Sequence, residues 1–400
     1  NYTILARDIV GEKPLWFHKN NSLIFASEKK AIVSNNIEPE ELNPRKVIIF
    51  NHKNNELKFL DQDFFKITHN SKFDIKTTIT GLCKLVEQSV IRRVPEKNLG
   101  ILFSGGLDST LLAFILKKNN IPFTAYMTVS ETKSTEIEKA ESIAKELGFD
   151  LNLVKIDKKQ VEKELPKIME LIETADPVKV EVGATMFFAL KKAKEDNTKV
   201  IFSGVGADDI FAGYKRMHMS QDISLDSLSN LRRIYERDLY RDDVLAMSNN
   251  IELRLPYLDR ELIQTCINIP NEHKISDIPK KLMREVAKQI GLPQKLTELK
   301  RSAAQYSSGV GKILSNLVKD TKDKYKGVYL SKILGRKNIK LGSLFSSGKD
   351  SIYALHIQDR LNYEISCLIT IDSHNKDSFM FHTPTIEIAE KQAECLNIPI

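Results

Sequence analysis

The sequence predicts an α/β protein: a parallel sheet covered by helices, preceded by a β-rich layer. Three observations carry this. Between residues 99 and 203 apolar strand-like runs alternate with helix-period segments, as in a sheet whose strands are joined by helical crossovers. One strand run breaks into Ser104-Gly105-Gly106 and then a helical pattern, an arrangement that returns near residue 344. Residues 1 to about 70 show short strands separated by turn residues, the mark of antiparallel pairing.

Four hundred residues with 42% hydrophobic side chains can bury more than one core, so two to three domains are expected. The net charge of +7 is modest for this length; it permits an anionic ligand and makes no case for a nucleic-acid partner. Cys83, Cys266, Cys367 and Cys395 are scattered with no C-x-x-C pair, which points to reduced thiols in the cytoplasm rather than to disulfides or zinc. No apolar run reaches about eighteen residues and no signal-peptide pattern is present, so no membrane partner is expected. The chain begins at Asn1 inside a strand-like run, and reads as a fragment.

In order, strand-like runs lie at 2–6, 15–17, 23–26, 47–50 and 57–60, divided by Asn20-Asn21 and by 51–55. Ile79, Leu82, Cys83, Val86 and Val90 mark one face of a helix within 72–98. Cys83 on that apolar face reads as core rather than nucleophile, and Pro95 closes the segment. A strand at 99–103 precedes the helix-period residues Leu107, Leu111, Leu112, Ile115 and Leu116. Strands at 122–129, 151–156 and 200–203 then alternate with helices at 134–147, about 158–174 and about 183–194. In such sheets ligands sit beyond the carboxyl ends of the strands.

Two loops fall at that edge. Residues 104–109 read SGGLDS; a strand, a glycine turn and a helix start aim backbone N–H groups at an anion. Ser104, Ser109 and Thr110 add hydroxyls, and Asp108 sets a carboxylate where a metal can bridge to phosphate oxygens. No Walker pattern is present, and the same residues can form an ordinary Gly-Gly turn. The run resembles the pyrophosphate-binding loop, Ser-Gly-Gly-x-Asp-Ser, of ATP pyrophosphatases that adenylate a substrate. Residues 102–109 (LFSGGLDS) recur 242 positions later as 344–351 (LFSSGKDS), which suggests two nucleotide-binding domains. The second ATP loop would be Ser346, Ser347, Gly348, Lys349, Asp350 and Ser351. The other loop at the edge, 203–214, reads SGVGADDIFAGY. Either it is a glycine-rich turn with a solvated acidic pair, or Asp208 faces the same magnesium as Asp108 while the Ser203-Gly204 backbone approaches the nucleotide.

These two loops, with 247–259 (MSNNIELRLPYLD) and 305–309 (QYSSG), resemble in order the asparagine synthetase family over about 75–315. The resemblance implies an ATP pyrophosphatase (adenine nucleotide alpha hydrolase-like) domain that uses ATP and Mg2+. It would adenylate a carboxylate, that of aspartate, release pyrophosphate and amidate the product with ammonia. Implied ATP-binding residues are Leu102, Ser104, Gly105, Gly106, Asp108, Ser109, Thr128, Ser203 and Gly204, with adenine and ribose against the strands that hold Leu102 and end near Thr128. Asp108 and Asp208 would be catalytic and hold the metal. Glu252 and Arg254 read as a structural ion pair.

The chain departs from the family pattern at three places. Val205 stands where bacterial glutamine-using members carry Glu between the two glycines, and Asp209 replaces the usual Glu. Ala303 stands where a catalytic lysine is expected two places before Gln-Phe; Lys300 or Arg301 could reach the same phosphates from a shifted position, and Lys300 is taken as the catalytic candidate.

Residues 6–15 (ARDIVGEKPL) and 26–31 (ASEKKA) resemble the closing part of class II glutamine amidotransferase domains, of α+β glutaminase fold. That family's N-terminal cysteine nucleophile lies upstream of the matched part, and no cysteine precedes Cys83, so this chain as given is not expected to hydrolyse glutamine. At the other end, 346–351, 377–383 (DSFMFHT) and 392–399 (QAECLNIP) resemble the start of the diphthine–ammonia ligase family, which amidates diphthine on elongation factor 2. Ser347 replaces that loop's first glycine, a crowded choice if the position needs positive φ, and His382 reads equally as substrate contact or as hydrogen-bonded histidine.

The expected organisation is a glutaminase remnant at 1–72, a synthetase domain at 73–315, a basic linker at 316–338 and an incomplete ATP-binding domain at 339–400. The expected activity is asparagine synthetase-like, with aspartate and ammonia or glutamine as small-molecule partners. Diphthamide formation on elongation factor 2 and a nucleotide-binding scaffold without turnover are the alternatives.

Overall fold

Residues 1–33, 37–68, 73–132, 134–299, 304–335, 340–371 and 386–400 are described by the computed structural model, which divides into two units. One is Asn1–Asp157 with Gly183–Val310; the other is Lys158–Val182 with Gly311–Ile400.

The first unit opens with β1 (Tyr2–Leu5), β2 (Trp16–Lys19), β3 (Leu23–Ala26), β4 (Glu40–Glu41), β5 (Lys46–Asn51) and β6 (Glu56–Asp61). They form two antiparallel sheets, β1-β5-β6 and β3-β2-β4. Strand alternation turns Leu5, Phe17 and Ile48 inward with Leu42 to make their core. The five strands expected from the sequence are all present, and only the two-residue β4, with no apolar face, escaped it. The ARDIVGEKPL stretch is a joint. Arg7 donates to the backbone oxygens of Gly11, Lys13 and Leu42 and pairs with Glu41 at 3.0 Å, while Lys13 reaches Asp243 at 2.8 Å.

The sheet that positions the site follows. α1 (Ile75–Ile91) is capped by Asp74, whose carboxylate accepts from Thr77 N at 2.8 Å, and buries Leu82, Cys83, Val86 and Val90. Burial pushes the Cys83 thiol up to about 11, so it is core and not a nucleophile. Then come β7 (Leu99–Leu102), α2 (Leu107–Lys118), β8 (Thr124–Ser130), α3 (Ser134–Leu147) and β9 (Asp150–Ile156). The chain continues through α4 (Lys158–Ile172) and α5 (Pro177–Glu195) to β10 (Val200–Phe202). α5 starts six residues before the expected 183, because Pro177 is a good first helical residue and Asp176 accepts from the N–H groups of Val178 and Lys179, each at 2.9 Å.

After β10 the chain forms α6 (Ala207–Ile210), α7 (Ile223–Ile234), a wide π-type turn at Tyr235–Leu239, α8 (Tyr240–Met247) and β11 (Glu252–Arg254). β11 is an edge strand that the sequence reading took only as charge. The expected Glu252–Arg254 ion pair is formed at 3.0 Å. α9 (Arg260–Ile267), α10 (Asn271–Lys274) and α11 (Lys281–Ile290) complete the helical cover. The five strands are all parallel in the order β11-β10-β7-β8-β9.

In the second unit β12 (Lys340–Leu344) pairs in parallel with β13 (Glu364–Ile369). The helices Lys349–Arg360 and Ile386–Leu396 give Leu355, Ala389 and Ala393 to a small core with Phe345 and Leu368. Within the stretch expected as a linker, the helix Lys326–Leu334 buries Tyr329 and Leu330, and Lys326 pairs with Glu181 at 2.5 Å. None of the four cysteines is in a disulfide. Among the described residues no helix is long and apolar enough to cross a membrane.

Candidate active site

The chain runs outward from β7 through β8 to β9, then returns to lay β10 on the other side of β7. Strand order therefore reverses between β7 and β10, and a ligand crevice opens beyond the carboxyl ends at such a point. The loops 104–106 and 203–206 flank it.

Gly105 takes φ +66°, and Gly106 caps the twelve-residue α2, whose first turn points its free N–H groups back at the loop. Ser109 holds the turn shut: its Oγ accepts from Ser104 N at 3.2 Å and donates to Gly106 O at 3.3 Å, with Ser104 Oγ 3.2 Å away. Thr128, near the end of β8, is 4% exposed, and its Oγ1 is buried with no hydrogen-bond partner among the described residues. A hydroxyl left so at a strand end costs about 1–3 kcal/mol, which a polar ligand would relieve. Leu102 ends β7, half-buried and paired in register with Tyr126 of β8. Ser203 Oγ accepts from Val205 N at 3.4 Å. Gly204 packs on Asp108: a Cβ there would lie 2.9 Å from Asp108 Cβ, so the neighbouring loop is enough to require glycine.

Asp108 and Asp208 converge on one point, and Lys280 fills it. Its Nζ lies 2.5 and 2.6 Å from the two Asp108 oxygens and 2.8 Å from Asp208 Oδ1. Burial pushes this ammonium's pKa down, but the two carboxylates outweigh burial and hold it above the usual lysine range. Lys280 escaped the sequence reading. The readable signal was Lys280-Lys281 at the start of a helix, where the helix dipole disfavours cations.

Two further layers brace the pair. Tyr257, fully buried, donates its hydroxyl to Asp108 O at 2.9 Å, and Asp259 caps α9 while pairing with Arg93 at 3.0 Å. The 247–259 stretch thus buttresses the loop. Behind Asp208, Asp209 is buried against Arg237 at 2.9 Å; burial lifts it to about 6 and Arg237 opposes the rise. The 305–309 stretch returns to the end of β8, where Ser308 O accepts from Ser130 N at 2.7 Å. Lys300, Arg301, Ala303 and His382 lie outside the described residues.

Two carboxylates set on one cation position, at the N-terminus of α2, suit a hard divalent ion whose other ligands are phosphate oxygens and water. Among the described residues no group of three or more acidic, His or Cys side chains could hold a metal alone.

The second loop repeats the first. Ser347 takes φ +59° where Gly105 takes +66°; Ser351 Oγ accepts from Ser346 N at 3.4 Å and donates to Gly348 O at 2.8 Å. Gly348 caps the helix Lys349–Arg360, with Lys349 and Asp350 in its first turn.

Comparison with known proteins finds three matching families along the chain. Residues 81–229 and 221–333 match the asparagine synthase family, 1–70 the glutamine amidotransferase domain, and 339–400 the diphthamide synthase N-terminal domain. A Methanocaldococcus jannaschii protein named asparagine synthetase (glutamine-hydrolyzing) 1 is 29% identical over 80% of this chain and 69% of its own length. Proteins so named from Dictyostelium discoideum and Saccharomyces cerevisiae are each 24% identical, over 78% and 80% of this chain and 61% and 64% of theirs. The chain thus spans roughly two thirds of these relatives. With its central 253 residues matched to one family and that family's loops assembled at one sheet edge, the chain belongs to the asparagine synthase family.

Proposed function

We propose that the chain forms an amide from a carboxylate at the cost of ATP, and that the acceptor is aspartate. The observation that carries this is the convergence of Asp108 and Asp208, from two loops, on one buried cation position beside the N-terminus of α2. Adenine and ribose would lie along Leu102 and Thr128, and the phosphates against Ser104, Gly105, Gly106 and Ser109, with Ser203 and Gly204 opposite. A carboxylate oxygen attacks the α-phosphorus, and the bond to the bridging oxygen breaks with pyrophosphate leaving. Ammonia, free or derived from glutamine, then attacks the acyl carbon, loses a proton and displaces AMP. Asp108 and Asp208 would hold Mg2+, which supplies charge neutralisation at the phosphates. Lys280 stands where an ammonium can follow the charge that develops on the leaving group, and Lys300 would add a second cation. Four cysteines outside disulfides suit a cytoplasmic protein.

The test is aspartate-dependent exchange of labelled pyrophosphate into ATP, with Asp108→Ala as control. Exchange that needs aspartate and is lost in the variant supports the reading; protein that binds ATP without exchanging rules aspartate out. The repeat of the loop's hydrogen bonds at Ser346–Ser351 favours a second reading, in which that loop also binds ATP and the acceptor is diphthine on elongation factor 2. Exchange driven by that protein in place of aspartate would select it.

A further inference from the structure

Lys280 sits where a metal would. It is 4% exposed, it begins α11 in the left-handed region at φ +61°, and it makes its closest polar contacts with both Asp108 oxygens and with Asp208. A lysine bears this conformation at a cost of about 1–2 kcal/mol, and at a site such strain persists where the surroundings fix it. They do so here. Gly213 closes the space beside the stem, so that a Cβ on it would lie 2.5 Å from Lys280 Cε, and Arg284, one turn on, donates to Pro279 O at 2.8 Å.

We infer that Lys280 and a divalent cation are alternative counter-ions of the Asp108–Asp208 pair, so that the protein takes its metal only together with the nucleotide's phosphates. This rests on the proposed role of the two carboxylates and adds the order in which their partners arrive. An ammonium 2.5–2.8 Å from three carboxylate oxygens occupies the position a second cation would take, and like charges a few ångströms apart repel where the lysine is buried and the carboxylates are only about a quarter exposed. The lysine leaves only for another anion. A triphosphate brings one, with the metal already on its oxygens; the ammonium passes to the phosphate and the carboxylates pass to the metal, with no net loss of charge pairing on either side. The arrangement keeps the free protein from holding a naked metal ion and ties metal occupancy to ATP.

Binding of Mn2+, followed by loss of its free paramagnetic signal, tests this without reference to turnover. Nucleotide-free wild type is expected to show no Asp108-dependent Mn2+ binding, whereas Lys280→Met gains a site at least about tenfold tighter that Asp108→Asn abolishes. Lys280→Arg keeps the charge and is expected to exclude Mn2+ as wild type does, which separates loss of charge from damage to the fold. With a non-hydrolysable ATP analogue, wild type is expected to bind Mn2+ in an Asp108-dependent way. Nucleotide-free wild type that binds Mn2+ through Asp108 as tightly as Lys280→Met overturns the inference and leaves the carboxylates as a metal site. Mn2+ binding with the analogue that is indifferent to Asp108 overturns the carboxylate reading itself.

Discussion

Arg237 Nη2 donates to Asp209 Oδ1 across 2.9 Å, and the carboxylate it meets is almost wholly buried behind the loop that presents Asp208. The arginine reaches it because the π-type turn Tyr235–Leu239 widens the helical path between α7 and α8; such bulges recur at functional sites. The Tyr214 hydroxyl, 3.4 Å from Asp209 and 3.2 Å from the guanidinium, closes the triangle.

Removal of Arg237 should therefore hurt in a pH-dependent way. Asp209 in the folded protein already titrates at about 6, above its ordinary 3.8, so the folded state binds the proton more tightly and stability falls as pH rises from about 4 to 6. Arg237→Met takes away the main lowering influence and carries Asp209 higher still. We expect a loss of about 3–5 kcal/mol at pH 8, where the variant buries an unpaired charge, and a clearly smaller loss at pH 5, where Asp209 takes up a proton. Thermal unfolding at the two pH values checks it; equal losses would show that Arg237 acts by packing alone.

Two glycines of the site should rank against first intuition. Gly105 has a positive φ, +66°, yet a Cβ there would find only Ala140 Cβ at 4.0 Å, so Gly105→Ala should cost about 1–2 kcal/mol in backbone strain. Gly213 has no such φ, but a Cβ on it would drive into the Asp208 carboxylate and Lys280 Cε. Gly213→Ala should cost more than Gly105→Ala in urea unfolding, because a carboxylate, a buried ammonium and the loop must all shift. The reverse order would mean that the Asp208–Lys280 pair yields easily.

What the sequence revealed here, and what it hid, divides by range. Residues 104–109 lie close together in the chain, so one strand run, two glycines and a helix pattern were enough to read the cradle. Apolar runs alternating with helix-period segments located β7, β8, β9 and β10. Lys280 stands 172 positions from Asp108, and no local period links them. β11 has three residues, two of them an ion pair, too little apolar signal for a strand. Asp209 read as a mild change from the family's Glu; only the fold reveals that a shorter carboxylate meets Arg237 there.

A serine is a crowded choice where the backbone needs positive φ, and Ser347 takes φ +59°. The hydroxymethyl group is tolerated but strained, so Ser347→Gly should stabilise the second unit by about 1 kcal/mol. Hydrogen exchange of the helix Lys349–Arg360, which starts at this loop, would report it as slower opening. Unchanged or faster exchange would mean that Ser347 makes a compensating contact.

Lys274 offers the last test, because its ammonium is fully buried and, among the described residues, has Ser224 Oγ at 2.7 Å and Ile267 O at 3.2 Å as its hydrogen-bond acceptors. Burial is the larger influence and pulls its pKa down to about 8 from 10.5. Between those two values the unfolded chain holds the proton and the folded one does not, so wild-type stability should rise with pH across that window and be flat below it. Lys274→Met has no proton to lose. The stability difference between the two proteins should move in wild type's favour by about 2–3 kcal/mol from pH 7.5 to pH 10, whatever its value at neutral pH. Urea unfolding of both proteins at the two pH values measures it, with the shared background of other titrating groups cancelling. A difference that stays constant would show that Lys274 remains charged throughout, held by the two oxygens alone.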